Sequence, residues 1–204
     1  IQYLTLSSNN NYSTAQFLLG IYYLHHKRET NIKDAVDLIY RSSLNKYKKS
    51  YFYMGYFYHK GIHVQRNIKE SIKYYKQGST FNCQYSKNNL GIIYKHGFDL
   101  EIEQNIGNSL EFFSELVSKF NNIVAMYNLS HIYIFEVKSK EKIDESIDLL
   151  IKSSSQKFKA SYFLLCIALI EKHGNDAEKI KQDLIKKTGQ SDGLTIIILD
   201  LIGE

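Results

Sequence analysis

His59 and His63 stand four residues apart, a spacing that on one continuous helix would hold zinc. Gly61 falls between them, where a glycine cap is expected to end the helix, and no glutamate follows His59. A solvated or hydrogen-bonded histidine near a helix C-terminus fits better, since that end favours positive charge. A second candidate is Leu90 to Gly97, LGIIYKHG, which sets His96 between Gly91 and Gly97. A phosphate-cradling loop needs its glycines between a strand and a helix, and nothing around Leu90 reads as a strand. Glu101, Glu103 and Glu111 fall near one inter-helix segment. Carboxylates close in sequence belong on a solvated face unless geometry joins them as an acid/base pair. Cys83 and Cys166 are far apart, and a disulfide needs Cα atoms within about 7 Å. Free thiols, a core role and a cytoplasmic setting are therefore expected. No segment gathers an acid, a base and a nucleophile. No catalytic, cofactor or metal residue is assigned, and the chain is not expected to be an enzyme.

The elements that must position these side chains are helical. Proline is absent from the 204 residues, as suits a chain made mostly of helix interiors. Net charge is +5, from 26 basic and 21 acidic residues. The densest basic run, Lys46-Tyr47-Lys48-Lys49, is not the charged stripe of a nucleic-acid binder. The most apolar run, Leu194 to Ile202, carries Asp200 and is shorter than the roughly 18 residues of a membrane span. Neither nucleic acid nor membrane is expected as a partner. The chain opens at Ile1 in what reads as mid-helix, as a piece of a longer polypeptide would.

A pattern recurs along the sequence. It is a small residue, then an apolar residue four positions on, a small residue next, and an aromatic three further. The second small residue is Gly20, Gly55, Gly91, Ser130 and, in a worn fifth copy beginning at Ala160, Leu165. A second block follows each of the first four: Asn31 to Ala35, Asn67 to Ser71, Asn105 to Ser109 and Lys142 to Ser146. Each block runs on to Ile39, Tyr75, Phe113 or Leu150, and most then reach a small pair such as Ser42-Ser43. These spacings put the named residues on one stripe of a helix. Each repeat is thus two amphipathic helices, with Asn31, Asn67 and Asn105 as N-caps and Gly61 and Gly97 ending first helices.

The pattern resembles the Sel-one-like repeat (SLR), a relative of the tetratricopeptide repeat. Met54-Gly55, Tyr58, Gly61, Val64, Ser71, Tyr75 and Gly78-Ser79 match its motif best, and Leu90-Gly91, Tyr94 and Gly97 follow. Asn stands for the motif's aspartate, and His26 and Glu136 for its second glycine. The resemblance implies an all-α fold, a right-handed α-solenoid of about five helix pairs. Residues 1–11 read as the end of a preceding repeat. The array covers 12–190, with repeats near 12–46, 47–82, 83–121, 122–157 and 158–190, and 191–204 read as a C-terminal capping segment. The family implies a binding scaffold or adaptor. Similar arrays follow kinase domains in protozoan proteins, and others serve as adaptors in endoplasmic-reticulum-associated degradation.

Positions the repeat does not use are candidates for recognition. On first helices they fall at −6, −3, +1, +4 and +5 from the second small residue. Phe52, Tyr56, His59 and Lys60 come from repeat two; Tyr85, Asn88, Lys95 and His96 from repeat three; Tyr127 and His131 from repeat four, whose set also holds Val124, Ile134 and Phe135. Tyrosine is a frequent interface anchor. The expected function is a concave groove that takes an acidic protein or peptide segment. The apolar end of the array would also support a dimer.

Overall fold

The computed structural model describes residues 1–26, 32–98, 101–174, 176–188 and 198. Among them are eleven α-helices and one π-helical turn: α1 (Gln2–Asn9), α2 (Ser13–His26), α3 (Ile32–Leu44), α4 (Lys48–Lys60), α5 (Ile68–Thr80), α6 (Gln84–His96), α7 (Ile106–Phe120), α8 (Ile123–Ile132), the π turn Tyr133–Val137, α9 (Lys140–Ser155), α10 (Ala160–His173) and α11 (Ala177–Thr188). The fold is all-α. The chain divides into two compact halves, Ile1–Asn105 and Ile106–Glu204. In the N-terminal half α2 packs on α3 and α4 on α5, while α3 meets α4 and α5 meets α6. In the C-terminal half α8 packs on α7 and α9, and α10 on α9 and α11. Each half is a stack of helix pairs, in which every pair buries its apolar stripe against the next.

The second helices sit deepest. Ala35, Ile39, Ser71, Tyr75, Ser109, Phe113, Ser146 and Leu150 are all 0% exposed. On the first helices Met54, Gly55 and Leu90 are buried as the stripe requires, and Tyr58 and Tyr94 are half-buried. Phe17, Ile39, Met54 and Phe57 form one core cluster of the N-terminal half. Ile147, Leu150, Leu164, Leu165 and Leu169 form one of the C-terminal half. Burying each such side chain contributes about 1.5–3 kcal/mol.

Consecutive pairs are joined by a polar seam that the small residues make possible. Ser50 Oγ donates to Ser42 Oγ at 2.7 Å, and Ser42 Oγ donates to the Ser13 carbonyl at 2.6 Å. The hydroxyls of Ser153 and Ser161 pair at 2.5 Å. At the equivalent place Gly78 faces Ser86. The turn behind the seam is equally regular. Asn11, Lys46, Asn82, Asn121 and Lys157 each have positive φ, between 51° and 63°. In four of these turns the next N–H reaches back to the first residue of the small pair: Tyr12 to Ser7 at 3.2 Å, Tyr47 to Ser42 at 3.1 Å, Cys83 to Gly78 at 3.0 Å and Phe158 to Ser153 at 3.4 Å. This closure satisfies helix C-terminal carbonyls, and the left-handed residue is what permits it.

The seam corrects the register of the fifth repeat. Ser161, not Ala160, meets the preceding helix; Ala160 is exposed and Ser161 is 0% exposed. The small residue is then Cys166 and the apolar one Leu165, so the copy is displaced by one position. Leu169, at 0% exposure, takes the aromatic's place.

The expected caps at Gly61 and Asn67 form. Gly61 ends α4 at φ 68° and ψ 31°. Asn67 caps α5 by accepting the Glu70 N–H at 3.0 Å. Asn31 lies outside the described residues. Gly97 ends α6, but its ψ of −173° turns the chain outward into a loop closed by a bridge between Phe98 and Ile102. The α9 cap is Ser139, which accepts the Lys142 N–H at 3.3 Å. Of the expected capping segment only Ile198 is described; it is buried in the C-terminal core cluster. There α11 is fastened by Lys172, whose Nζ lies 2.6 Å from both Asp144 and Asp183, and by His173 at 2.9 Å from Asp183.

Candidate interaction surface

The candidate residues of the N-terminal half converge. Phe52, Tyr56 and His59 are half-buried along one face of α4, and Tyr85 (64% exposed) and half-buried Asn88 stand on α6. Phe52 joins the two helices. Its ring centroid lies 5.3 Å from that of Tyr85, 6.2 Å from that of Tyr56 and 6.2 Å from that of the buried Tyr75. Lys60 and His96 are exposed at the C-terminal ends of the same helices. Aromatic rings partly open to water with the Lys60 ammonium beside them suit recognition of carboxylate-bearing side chains.

His59 is less accessible than its position implies. Its ring stands edge-on to Tyr75 and to Phe98, at 6.4 and 5.1 Å. Burial, and then the charges of Lys60 and Arg66, hold its pKa below the usual imidazole value, so the ring is neutral at pH 7. Its Nδ1 and the Oδ1 of Asn88 are buried without a hydrogen-bond partner. His63 lies past the Gly61 cap in its own left-handed conformation, at φ 65°. Among the described residues no group of three or more His, Cys, Asp or Glu side chains could hold a metal ion.

Two expected surface positions are corrected. Lys95 is 5% exposed rather than part of the open face. The loop after Gly97 folds back over the end of α6: the Gln104 side-chain amide donates to the Lys95 carbonyl at 2.9 Å, and the Asn105 N–H to the Tyr94 carbonyl at 2.7 Å. Ile134 is 3% exposed, because the π turn directs it into the core of the C-terminal half. There Tyr127 is half-buried edge-on to Phe158 at 5.7 Å, and His131 lies 4.6 Å from Phe135. Val124 and Phe135, at 39% and 40% exposure, complete that smaller apolar strip.

The acidic residues of this surface follow the repeat as well. The first helices α2, α4, α6 and α8 contain no aspartate or glutamate, whereas the first helix α10 carries Glu171 and α3, α5, α7, α9 and α11 all carry acids. The absence leaves the lysines of α4 without carboxylates on their own helix. Among the described residues no helix is long and apolar enough to cross a membrane. Both cysteines are buried, and burial pushes the Cys166 thiol up to about 11.

The sequence profile described as the Sel1 repeat matches residues 13–38, 48–80, 84–116 and 123–158, together more than half of the chain. No curated protein matches it. Among solved structures, the chain is similar to a Sel1 repeat protein from Oxalobacter formigenes, with 15% identity and a TM-score of 0.72 over 92% of this chain and 78% of the other. It is also similar to a protective antigen present in uropathogenic Escherichia coli strains that displays an SLR fold. There the identity is 19% and the TM-score 0.78, over 98% of this chain and 43% of the antigen.

Proposed function

The chain belongs to the Sel1 repeat family, whose members are generally protein-interaction scaffolds, and we propose that it is a non-catalytic adaptor that takes an acidic segment of a partner protein on its first-helix face. The observation that carries this reading is the Phe52–Tyr56–Tyr85 cluster, set on two helices that hold no carboxylate and with Lys60 exposed beside it. Such a face gains apolar contact from the rings and attracts negative charge without repelling it. Tyr127 and His131 would serve the same end in the C-terminal half. The buried thiols suit a reducing, cytoplasmic setting.

Titration of the labelled chain with a short Asp/Glu-rich peptide, followed by amide chemical shifts, tests the assignment. Shifts should concentrate on 49–60 and 85–96, weaken steeply with added salt, and be absent with the Lys-substituted peptide. The Tyr56→Ala/Tyr85→Ala variant should lose about tenfold in affinity with its fold intact. A footprint that leaves both segments untouched would sink the reading. Kinase-linked and endoplasmic-reticulum adaptors would use this same surface, and a partner's identity would separate those roles.

A further inference from the structure

The far side of α4 carries a different surface. At 100° per residue Met54 and Tyr58 point away from Phe52 and Tyr56. They floor an open groove of about 710 Å³ with α3 as one wall, lined by Val36, Asp37 and Tyr40, and His63 and Val64 at the opposite lip. Two smaller hollows continue it. One shares Tyr40 and runs past Leu44 to Lys73 and Tyr74 of α5; the other shares Tyr58 and Val64. Because they share these side chains, the three lie next to one another on the N-terminal half as a broken trough. Tyr40, Leu44 and Ile62 are exposed at 40%, 62% and 37% beside it.

Three tyrosines define its chemistry. Tyr58 and Tyr74 stack with ring centroids 5.6 Å apart and planes at 12°, and Tyr40 stands across the trough on α3. Among the described residues their hydroxyls have no hydrogen-bond partner. Burial, then the neighbouring phenols and Glu70, push the Tyr74 pKa up to about 12, so it stays a donor at any working pH. The carboxylates of the walls are already engaged: Asp37 pairs with Arg41 at 2.7 Å, and Glu70 with Lys73. Among the described residues Lys33 and Lys46 have no ion partner.

We propose that this trough docks an extended, acidic peptide segment of another protein, with an aliphatic or aromatic side chain seated on Val36 and Val64. Each part follows from the lining. An apolar floor needs an apolar side chain. Unengaged cations beside neutralised carboxylates favour a negative ligand. Phenol groups in a row suit a strand-like backbone, whose N–H and C=O groups are free to pair, whereas a helix has already satisfied its own. The trough is separate from the face formed by Phe52, Tyr56 and Tyr85, so either surface can fail without the other.

The test uses a short Asp/Glu-rich peptide with one central leucine, the same peptide with N-methylated backbone amides, and its Lys-substituted form. Amide shifts in the full chain should appear at 33–40, 58–66 and 73–77. The N-methylated and Lys forms should each bind about tenfold more weakly. Tyr40→Phe/Tyr58→Phe removes two hydroxyls and keeps both rings; it should weaken binding about tenfold with an unchanged melting temperature. Tyr56→Ala/Tyr85→Ala should leave the trough footprint in place. Equal binding by the N-methylated peptide, equal binding by the double phenylalanine variant, a footprint confined to α4 and α6, or no binding by any of the three would each overturn the proposal.

Discussion

Gly55 lies flat against the ring of Tyr75: a Cβ added to it would sit 2.6 Å from both Cδ1 and Cε1. This contact explains two repeat positions at once. The first helix is glycine there because the second helix brings a fully buried aromatic to the same point. Gly55→Ala gains up to about 1 kcal/mol of helix propensity but loses about 1–3 kcal/mol to overpacking. A net loss of about 1–2 kcal/mol is expected in denaturant unfolding. Tyr75→Leu should cost stability by itself, and the double variant should lose less than the two single losses together. Strict additivity would show that the contact does not set the glycine.

The seam predicts opposite signs for one chemical change. Ser50 and Ser161 bond across it, whereas Ser86 faces Gly78 and its hydroxyl is buried without a partner. Ser161→Ala should destabilise by about 1 kcal/mol, and Ser86→Ala should stabilise by a similar amount, since a buried orphan hydroxyl is costly. Thermal unfolding of the two variants side by side is decisive; loss of stability in both would contradict the role given to the seam.

The left-handed turn residues offer a third check. Lys46 and Lys157 occupy positive φ, where a lysine is strained and a glycine is not. Lys46→Gly and Lys157→Gly should each raise stability by about 0.5–1 kcal/mol. At Asn82, a residue type that tolerates this conformation better, the glycine gain should be smaller. Equal or negative effects at both lysines would be inconsistent with strain there.

His59 makes stability depend on pH in a defined direction. Its native pKa lies below the unfolded value of about 6.5, so the unfolded chain binds more protons between the two. Its contribution is therefore fully present above about pH 6.5 and is lost as pH falls toward the native pKa. Comparing wild type with His59→Phe from about pH 7.5 to about pH 5.5, one unit either side of the unfolded value, should show a shallower loss in the variant. An identical slope would mean that the imidazole is not held neutral.

Thiol chemistry gives a fifth expectation. With Cys83 and Cys166 buried and the Cys166 thiol pushed to about 11, native protein should resist iodoacetamide near neutral pH. Both thiols should label fully once denatured. Rapid labelling of folded protein would contradict their burial.

Much of this architecture was legible in the residues. The small and apolar positions of both blocks predicted which side chains would be buried, because a helix stripe depends only on local spacing. The fifth repeat slipped by one residue for a physical reason. Ala160 and Leu165 are as small and as apolar as the pattern asks, and only the bond from Ser153 to Ser161 decides between the two registers. Lys95 was misplaced because a helical projection does not see a loop that folds back over its own helix. The Tyr40–Tyr58–Tyr74 trough was not legible, since its three rings come from three helices. The left-handed turns left a visible trace, asparagine at 11, 82 and 121 in one register, which went unread.

The seam has a consequence for how such a chain tolerates insertions. Ser42 and Ser50, like Ser153 and Ser161, are eight residues apart, and Gly78 and Ser86 share that separation. Any added residue between them would carry one hydroxyl a third of a turn away from the other and undo the left-handed closure. The connection inside a repeat has no such constraint: it spans seven residues between α4 and α5 and nine between α6 and α7. New sequence can therefore enter within a repeat, beside the recognition surfaces, while the joints between repeats keep a fixed length.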